Sequence, residues 1–285
     1  MKVLVAGASG HLGKEVCKEL QRRGHEVQAM MRRATHPVGD GAIETMAADL
    51  TKPQSLQGVG DGVDWVFSCA GASMDVNNFS DRTSFYDVDY RGNLNLLEEA
   101  KRAGVKKFAY VSLAHADQLR QTEYADAHEK FVEALQISGL DYVVIRPTGF
   151  FSFYTTILKY AKQKRGLIIG AGDCRTNPIH EIDLAEVCAD ALAGTERDLP
   201  IGGTETLTRK QATIAAFEAL HMKPKLLSIS PTAFKVLIAP LRLFNRRVYA
   251  LMDFGIAVTQ IDCLAPAYGS RRLTAYFAEA AKELV

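Results

Sequence analysis

The stretch VLVAGASGHLGKEV, residues 3–16, decides the fold of this chain, because an apolar run leads directly into Gly7, Gly10 and Gly13. After a strand, one such glycine permits a tight turn, one lets backbone N–H groups approach a pyrophosphate, and one permits close packing of the next helix. The N-terminus of that helix then faces the phosphates. The spacing therefore predicts a bound dinucleotide at the start of an α/β domain.

The first half of the chain continues this rhythm of strands and helices. Apolar residues at spacings of three and four, ending in glycine, predict helices over 14–24, 93–104 and 127–139. Short runs rich in β-branched residues lie between them. The six predicted strands are KVLVAG (2–7), EVQAMM (26–31), AIETMAAD (42–49), DWVFSCA (64–70), KFAYVS (107–112) and DYVVIR (141–146). We therefore predict an α/β fold with a Rossmann-type doubly wound parallel sheet.

The rhythm changes in the second half, which predicts two parts. Residues 1–150 form the predicted NAD(P)-binding Rossmann core, and residues 151–285 a smaller, mostly helical substrate or interaction lobe packed on it. NPIHEIDLAEVCADALAG (177–194) and LTRKQATIAAFEALHM (207–222) predict helices there, the second with Thr208 as its N-cap. The sheet is expected to be able to receive a strand from this lobe.

Composition narrows the classes of function. The 285 residues carry a formal net charge of +1, which gives no electrostatic reason to expect nucleic acid as a partner. The five scattered cysteines lack the spacing of a zinc site, which predicts reduced thiols, no bound metal and a cytoplasmic protein. No stretch predicts a transmembrane segment. The apolar segment 234–258 is interrupted by arginines and is interpreted either as helices on the core or as an interfacial membrane or partner contact.

Several longer motifs carry a family resemblance beyond the glycine turn. They are AADL (47–50), FSCAGAS (67–73), DYRGNLNLLEEAKRAGVKKFAYVS (89–112), SGLDYVVIRPTGFF (138–151) and IHEIDLAEV (179–187). Together with the G-x-x-G-x-x-G spacing, they resemble the short-chain dehydrogenase/reductase superfamily, and more narrowly its atypical, NmrA-like and isoflavone-reductase-like members. The resemblance covers residues 1–195 well and implies an NAD(P)-binding Rossmann fold.

The second predicted strand ends in MMRR, which bears on the form of the cofactor. An acidic residue there would select the unphosphorylated dinucleotide, whereas Arg32 and Arg33 suit forked contacts with a 2′-phosphate. NADP(H) is thus favoured over NAD(H), with two solvated surface arginines as the alternative. The resemblance implies that Asp49 lies beside the adenine, residues 69–71 along the cofactor and residues 147–150 near the nicotinamide. The candidate cofactor-binding residues are Gly7, Ser9, Gly10, His11, Leu12, Gly13, Arg32, Arg33, Asp49, Leu50, Cys69, Ala70, Gly71, Ser112, Pro147, Thr148, Gly149 and Phe150.

The candidate catalytic pair departs from the family pattern. In the family, a tyrosine exchanges a proton with the substrate and a lysine four residues later lowers its pKa; the matching segment here reads TEYADAHEKFVEALQISGL (122–140). Tyr124 and His128 fall at i and i+4 and so share a helix face, whereas Lys130 faces elsewhere. Neutral imidazole lowers a tyrosine pKa far less than lysine does. Tyr124 and His128 are either a catalytic pair or ordinary helix residues near the site.

Three functions are compatible with these residues. The first is an NADPH-dependent oxidoreductase acting on a small carbonyl or enone-like compound, with Tyr124 and His128 supplying the proton. The second, favoured by the missing lysine, is a non-catalytic NADP(H)-binding redox sensor or assembly protein. The third, a nucleotide-sugar epimerase or dehydratase, fits less well because such enzymes keep both tyrosine and lysine. The expected ligand is a small molecule; its hydrophobicity, the oligomeric state and a protein partner are left open.

Overall fold

The computed structural model describes residues 1–33, 38 and 43–284. The strands are β1 (Lys2–Ala6), β2 (Glu26–Met31), β3 (Glu44–Ala47), β4 (Trp65–Ser68), β5 (Lys107–Val111), β6 (Asp141–Pro147), β7 (Gly166–Ile169), β8 (Arg175–Thr176), β9 (Asp198–Ile201), β10 (Leu207–Thr208) and β11 (Leu226–Ile229). A seven-stranded parallel sheet has the order β3-β2-β1-β4-β5-β6-β9. Its order reverses between β1 and β4, where doubly wound sheets open their ligand crevice. The predicted fold class is confirmed.

Helices cover both faces of this sheet and build the rest of the chain. They are α1 (His11–Arg22), α2 (Asn93–Arg102), α3 (Ala116–Leu119), α4 (Glu123–Gln136), α5 (Phe151–Lys162), α6 (Glu181–Ala193), α7 (Arg209–Ala219), α8 (Pro231–Ile238), α9 (Leu241–Phe244), α10 (Arg246–Val258) and α11 (Leu273–Leu284). A 3₁₀ turn spans Pro53–Leu56, and a π-helical turn, Tyr86–Gly92, leads into α2.

Successive side chains of β1 are buried on opposite faces of the sheet, as a parallel sheet covered on both sides requires. Val3 and Val5 pack with residues of α1 and α6, whereas Leu4 and Ala6 pack with residues of α2 and α4. This double burial explains why β1 is continuously apolar rather than alternating. It also fixes the end of β1, and hence the glycine turn, at the carboxyl edge of the sheet.

Residues after 150 contribute to both the sheet layers and a separate apolar cluster. Helix α6 packs on α1, and β9 pairs with β6 as the seventh strand. Helices α5, α7 and α11 pack around Phe217 and Phe277, while α10 contacts α4. The division of the chain at residue 150 stays a prediction, because elements on both sides of it build the same sheet.

The predicted elements are present with modest shifts of their ends. Helix α1 begins at His11, before the predicted start, because the extended backbone of Gly10 ends the turn there. Thr208 caps α7 in a capping box with Gln211. β3 begins at Glu44, and Ala42 of the predicted strand lies outside the described residues. The sequence missed four short strands, β7, β8, β10 and β11, which form two two-stranded sheets.

Candidate functional site

The glycine turn joins β1 to α1, and its glycines are fixed by close backbone contacts. Gly7 has φ +86°, and a Cβ there would lie 2.8 Å from the backbone nitrogen of Ala70. A Cβ on Gly13 would overlap the carbonyl oxygen of Gly7, so α1 crosses the turn closely. At Gly10, the N-cap of α1, none of the described side chains caps the helix, and its first turn holds no acid. The N-terminus of α1 therefore suits a phosphate, and the turn fits a dinucleotide.

A cavity of about 230 Å³ opens beside this turn, at the carboxyl ends of β1, β2 and β4. Eight predicted cofactor-binding residues line it: Gly7, Ser9, Gly10, Arg32, Asp49, Leu50, Ala70 and Gly71. Nine other lining residues were missed: Met30, Met31, Ala48, Thr51, Ala72, Ser73, Asp81, Thr83 and Val88. Six of these lie within two positions of a predicted residue in the chain. Asp81, Thr83 and Val88 lie outside every motif that we used, so the sequence carries no signal for them.

The charged side chains on the cavity wall act on one another. Burial works to raise the pKa of Asp49, but hydrogen bonds from Thr51 and the charges of Lys52 and Arg32 outweigh it and lower that pKa. Burial also works to raise the pKa of Asp81, but hydrogen bonds from Thr83 and the charges of Arg247 and Arg32 outweigh it and lower that pKa. Arg32 is the only basic side chain among the described residues of the wall. The cavity wall therefore carries one cation and two ionised carboxylates.

The loop of residues 72–83, here called the cavity loop, forms one wall of the cavity and is held by α10. Arg247, in the first turn of α10, is 1% exposed. Its guanidinium donates hydrogen bonds of 2.5 to 3.1 Å to four carbonyl oxygens of the cavity loop, those of Ser73, Asp75, Asn78 and Asp81. Asn245, the N-cap of α10, donates to the carbonyl oxygen of Phe79 at 3.0 Å. The C-terminal lobe thus shapes the cavity without lining it.

Tyr124 and His128 meet on one face of α4, with ring centroids 4.7 Å apart. His128 is 5% exposed; its Nδ1 shares a 2.6 Å hydrogen bond with the hydroxyl of Tyr110, and its Nε2 lies 3.3 Å from Oδ1 of Asp89. The other carboxylate oxygen of Asp89 accepts a 3.1 Å hydrogen bond from the backbone N–H of Ala72 on the cavity wall. A buried row of side chains therefore connects Tyr124 to the cavity. Asp89, on the π-helical turn, belongs to this row, although it was not among the site residues predicted from the sequence.

The surroundings of Tyr124 are largely aromatic. Its ring packs against Phe85 and, from α10, Phe254, with centroids 5.1 and 4.5 Å away. Burial, followed by the negative charge of Asp89, raises the pKa of Tyr124 above its ordinary value. Its phenol is therefore protonated at neutral pH. Lys130 binds Asp126 at 2.9 Å and so directs its charge away from this ring.

Several predicted residues do not line the cavity, and some have other partners. The hydroxyl of Ser112 donates to Glu129 at 2.9 Å, and that of Thr148 donates to the carbonyl oxygen of Asn177 at 2.6 Å. The predicted residues outside the lining are His11, Leu12, Gly13, Arg33, Cys69, Ser112, Tyr124, His128, Pro147, Thr148, Gly149 and Phe150. The cavity thus covers the adenosine and phosphate half of the predicted site. The roles of the other residues stay predictions.

The described part of the chain offers neither a metal cluster nor a membrane-spanning helix. Among these residues, no group of three or more His, Cys, Asp or Glu side chains could hold a metal ion. No helix among them is long and apolar enough to cross a membrane. The described cysteines are free thiols, and burial raises the pKa of Cys69, beside the glycine turn, to about 12.

The chain belongs to a family of NAD(P)H-binding proteins. A family model described as NAD(P)H-binding matches residues 7–195, from the glycine turn to just past α6. The chain is 31% identical over 255 residues to the chloroplastic divinyl chlorophyllide a 8-vinyl-reductase of Arabidopsis thaliana, with 80% of this chain and 60% of that protein covered. It is 27% identical over 214 residues to the photosystem II assembly factor Ycf39 of Guillardia theta, with 72% and 66% covered. The chain thus spans about three fifths to two thirds of the length of these relatives.

A solved structure shows the same fold over the whole chain. The NADPH-dependent quinone oxidoreductase QOR2 of Escherichia coli, complexed with NADPH, aligns with a TM-score of 0.76 at 20% identity, covering 100% of this chain and 99% of its own. At 20% identity, this structural similarity shows that the two proteins share a fold and no more than that. Together with the family match, it confirms the resemblance to atypical short-chain dehydrogenase/reductases that the motifs carry.

Proposed function

Because the chain belongs to the NAD(P)H-binding family, we propose that it is an NADPH-dependent oxidoreductase that reduces a small carbonyl or enone-like compound. The observation that carries this proposal is the buried row of side chains behind the cavity wall. Asp89 binds the backbone of Ala72, which lines the cavity, and reaches His128, whose ring meets Tyr124. Tyr124, the candidate proton donor, thus lies behind the wall of a crevice at the switch point of the sheet.

The wall residues divide into groups that suit the parts of NADPH. The glycine turn and the N-terminus of α1 would hold the pyrophosphate, and Arg32 the 2′-phosphate. Asp49 and Leu50 would lie beside the adenine, with Ala70 and Gly71 following the cofactor toward its other end. When bound, NADPH supplies a hydride, so the protein has to provide position and a proton. The absence of an acid at the end of β2 favours the phosphorylated cofactor.

The environment of Tyr124 keeps its phenol in the protonated form. The phenol is protonated and so carries a proton that a developing alkoxide or enolate could accept, although its raised pKa makes it a weaker acid than an ordinary tyrosine. Donation leaves a tyrosinate, which burial and the Asp89 charge disfavour, so Tyr124 has to regain a proton after each turnover. His128 contacts Tyr110 and Asp89 on its two nitrogens, and therefore acts as a positioning residue for the Tyr124 ring. The names of two similar proteins, a vinyl-reductase and a quinone oxidoreductase, support a conjugated acceptor as substrate.

The test is NADPH oxidation against a panel of quinones, enones and aldehydes, with Tyr124→Phe and the control Tyr160→Phe. Tyr160 lies on α5 and is 39% exposed. We expect Tyr124→Phe to lower kcat by about a hundredfold, the scale of a lost general acid, while NADPH affinity is retained. Turnover that is equal in the two variants would remove Tyr124 from this role. Failure to bind NADPH at all would refute the proposal.

A second function is favoured by one specific observation. The Tyr124 ring is enclosed by Phe85, His128 and Phe254, an arrangement that also suits a tyrosine serving only to pack α10 on α4. The chain would then be a non-catalytic NADP(H)-binding redox sensor or assembly protein, as the name of the Ycf39 relative suggests. NADPH binding without turnover of any panel member, together with cofactor-dependent capture of a protein partner, distinguishes this function from the first.

A further inference from the structure

Helices α8 and α9 present a row of exposed apolar side chains. Val236, Leu237, Leu243 and Phe244, here called the exposed ridge, are 66 to 86% exposed. The backbone stays helical through Ala239 and Pro240 between the two helices. Residues seven apart on a helix differ by only about 20° in direction, so the two pairs of the ridge share one face. The opposite side holds Ile238, which is buried, and α8 packs there on α10.

The exposed ridge is bordered mainly by basic residues, and the acid nearest to it in sequence, Asp253, is paired with Lys235 of α8. Residues 219–252 contain no Asp or Glu but six Lys and Arg residues. Arg242, on α9, is exposed and has no acidic partner within 4.0 Å among the residues that the structure describes. Arg82 is also exposed and donates a 3.0 Å hydrogen bond to the carbonyl oxygen of Phe244. Two cations therefore flank the apolar end of α9, while Arg246 is paired with Glu123.

We propose that the exposed ridge is a binding surface for an anionic lipid membrane, with α8 and α9 lying in the plane of the interface. An apolar helix face bordered by Lys and Arg is the pattern of helices that insert into the boundary between headgroups and acyl chains. The cations would meet lipid phosphates while Leu243 and Phe244 enter the acyl region. Residues 231–244 extend about 21 Å as a helix, short of the roughly 30 Å hydrocarbon core, so the contact is interfacial rather than spanning.

Two other occupants fit the same surface less well. A second copy of this chain in a two-fold dimer would place the exposed ridge against itself, bringing Arg242 and Arg82 near their own copies without intervening acids. A small substrate would need the ridge to face a cavity, but the described cavity is lined by other residues. A lipid surface instead satisfies both the apolar face and the uncompensated cations. This inference does not depend on the proposed reductase activity.

The test is co-sedimentation of the purified 285-residue chain with vesicles, without cofactor. One vesicle contains phosphatidylcholine only, and the other equal parts of phosphatidylcholine and phosphatidylglycerol. The double variant Leu243→Asp/Phe244→Asp removes the apolar contact, and Arg242→Glu reverses one cation. Ile137→Asp is the matched control, because Ile137 is 87% exposed but lies at the end of α4, away from the ridge in sequence. Thermal unfolding of each variant confirms that it is folded, and NADPH titration confirms that the cofactor site is unchanged.

We expect the chain and Ile137→Asp to sediment with the anionic vesicles, with binding that weakens as salt is raised. The double variant should lose about tenfold or more of this binding. Arg242→Glu should lose at least about fivefold, since a cation near an anionic surface contributes roughly 1 kcal/mol and the new acid adds repulsion. Equal sedimentation of the chain and the double variant would overturn the proposal. So would equal binding to both vesicles, or no vesicle binding together with a dimer in light scattering that the double variant abolishes.

Discussion

Replacing Arg247 by methionine should destabilise the protein strongly, although Arg247 does not line the cavity. The guanidinium is buried and donates to four carbonyl oxygens of the cavity loop. Methionine keeps most of the apolar stem and removes every donor. The carbonyls then lose a charged partner, and some can reach water only if the loop moves. The substitution thus separates the hydrogen bonds of Arg247 from its packing.

The size of the effect follows from these contacts. A hydrogen bond to a charged group contributes about 1.5–3 kcal/mol, but four do not add in full because the loop can rehydrate by shifting. Removing one side of a buried charged contact costs about 3–5 kcal/mol, which we take as the expected loss of unfolding free energy. In a chain of this size that corresponds to a drop in Tm of roughly 5–15 °C. NADPH affinity should also fall, because Ser73, Asp81 and Thr83 of the shifted loop line the cavity.

The matched control is the adjacent Arg246→Met. Arg246 is exposed and forms a single ion pair with Glu123, so its loss should cost no more than about 1 kcal/mol. Urea unfolding followed by circular dichroism, and NADPH titration of both variants, provide the comparison. Equal destabilisation by the two substitutions, or a loss below about 1 kcal/mol for Arg247→Met, would refute the account of the cavity loop. If Arg247→Met were destabilised but bound NADPH with unchanged affinity, the cavity loop would not contribute to cofactor binding.

Three further predictions concern the glycine turn and its neighbours. Arg32→Ala should weaken NADPH binding by about tenfold and NADH binding little, because one charge-assisted contact with the 2′-phosphate is lost. Fluorescence titrations that show an equal loss of affinity for NADPH and NADH would exclude this contact. The hydrogen bond from Arg22 is the main cause that holds the pKa of Glu19 at about 2. The ionised Glu19 side chain therefore stabilises the folded protein above pH 4.5, and this stabilisation is lost as the pH falls toward 2. Glu19→Gln should therefore lower the unfolding free energy by about 1–2 kcal/mol near pH 7, and urea curves at falling pH should converge on those of the parent chain. Gly13→Ala should cost about 1–3 kcal/mol and weaken NADPH binding, because its methyl group would push against the carbonyl of Gly7; an unchanged Tm and affinity would contradict the close crossing.

The fold could be predicted from the sequence because its signals are local. Each strand of the core is a short apolar run, each helix has its own period, and the glycine turn fixes the order of the first two elements. The short strands of the C-terminal lobe escaped prediction because β8 and β10 have only two residues each. Such strands exist through their pairing with a distant partner, and two residues carry no period.

The site was predictable only where a motif lies on the cavity wall. Arg32, Asp49 and the glycines belong to strand ends that the alternating pattern already locates. Asp81 and Asp89 do not, because their positions depend on contacts far along the chain: the loop before Asp81 is bound by Arg247, and Asp89 is oriented toward His128. The arginines of segment 234–258 were interpreted as interruptions of an apolar run. Arg247 is instead buried and donates hydrogen bonds to the cavity loop, a role that no local pattern indicates.

The contact between Arg247 and the cavity loop also has a consequence for synthesis. A ribosome makes the loop more than 160 residues before it makes Arg247, as the separations of 166 to 174 residues in these hydrogen bonds require. A nascent chain that ends within the family match at residue 195 already contains the complete glycine turn, yet its cavity loop has no guanidinium to bind. The contacts that hold the cavity loop therefore form only late in translation, well after the glycine turn has been made.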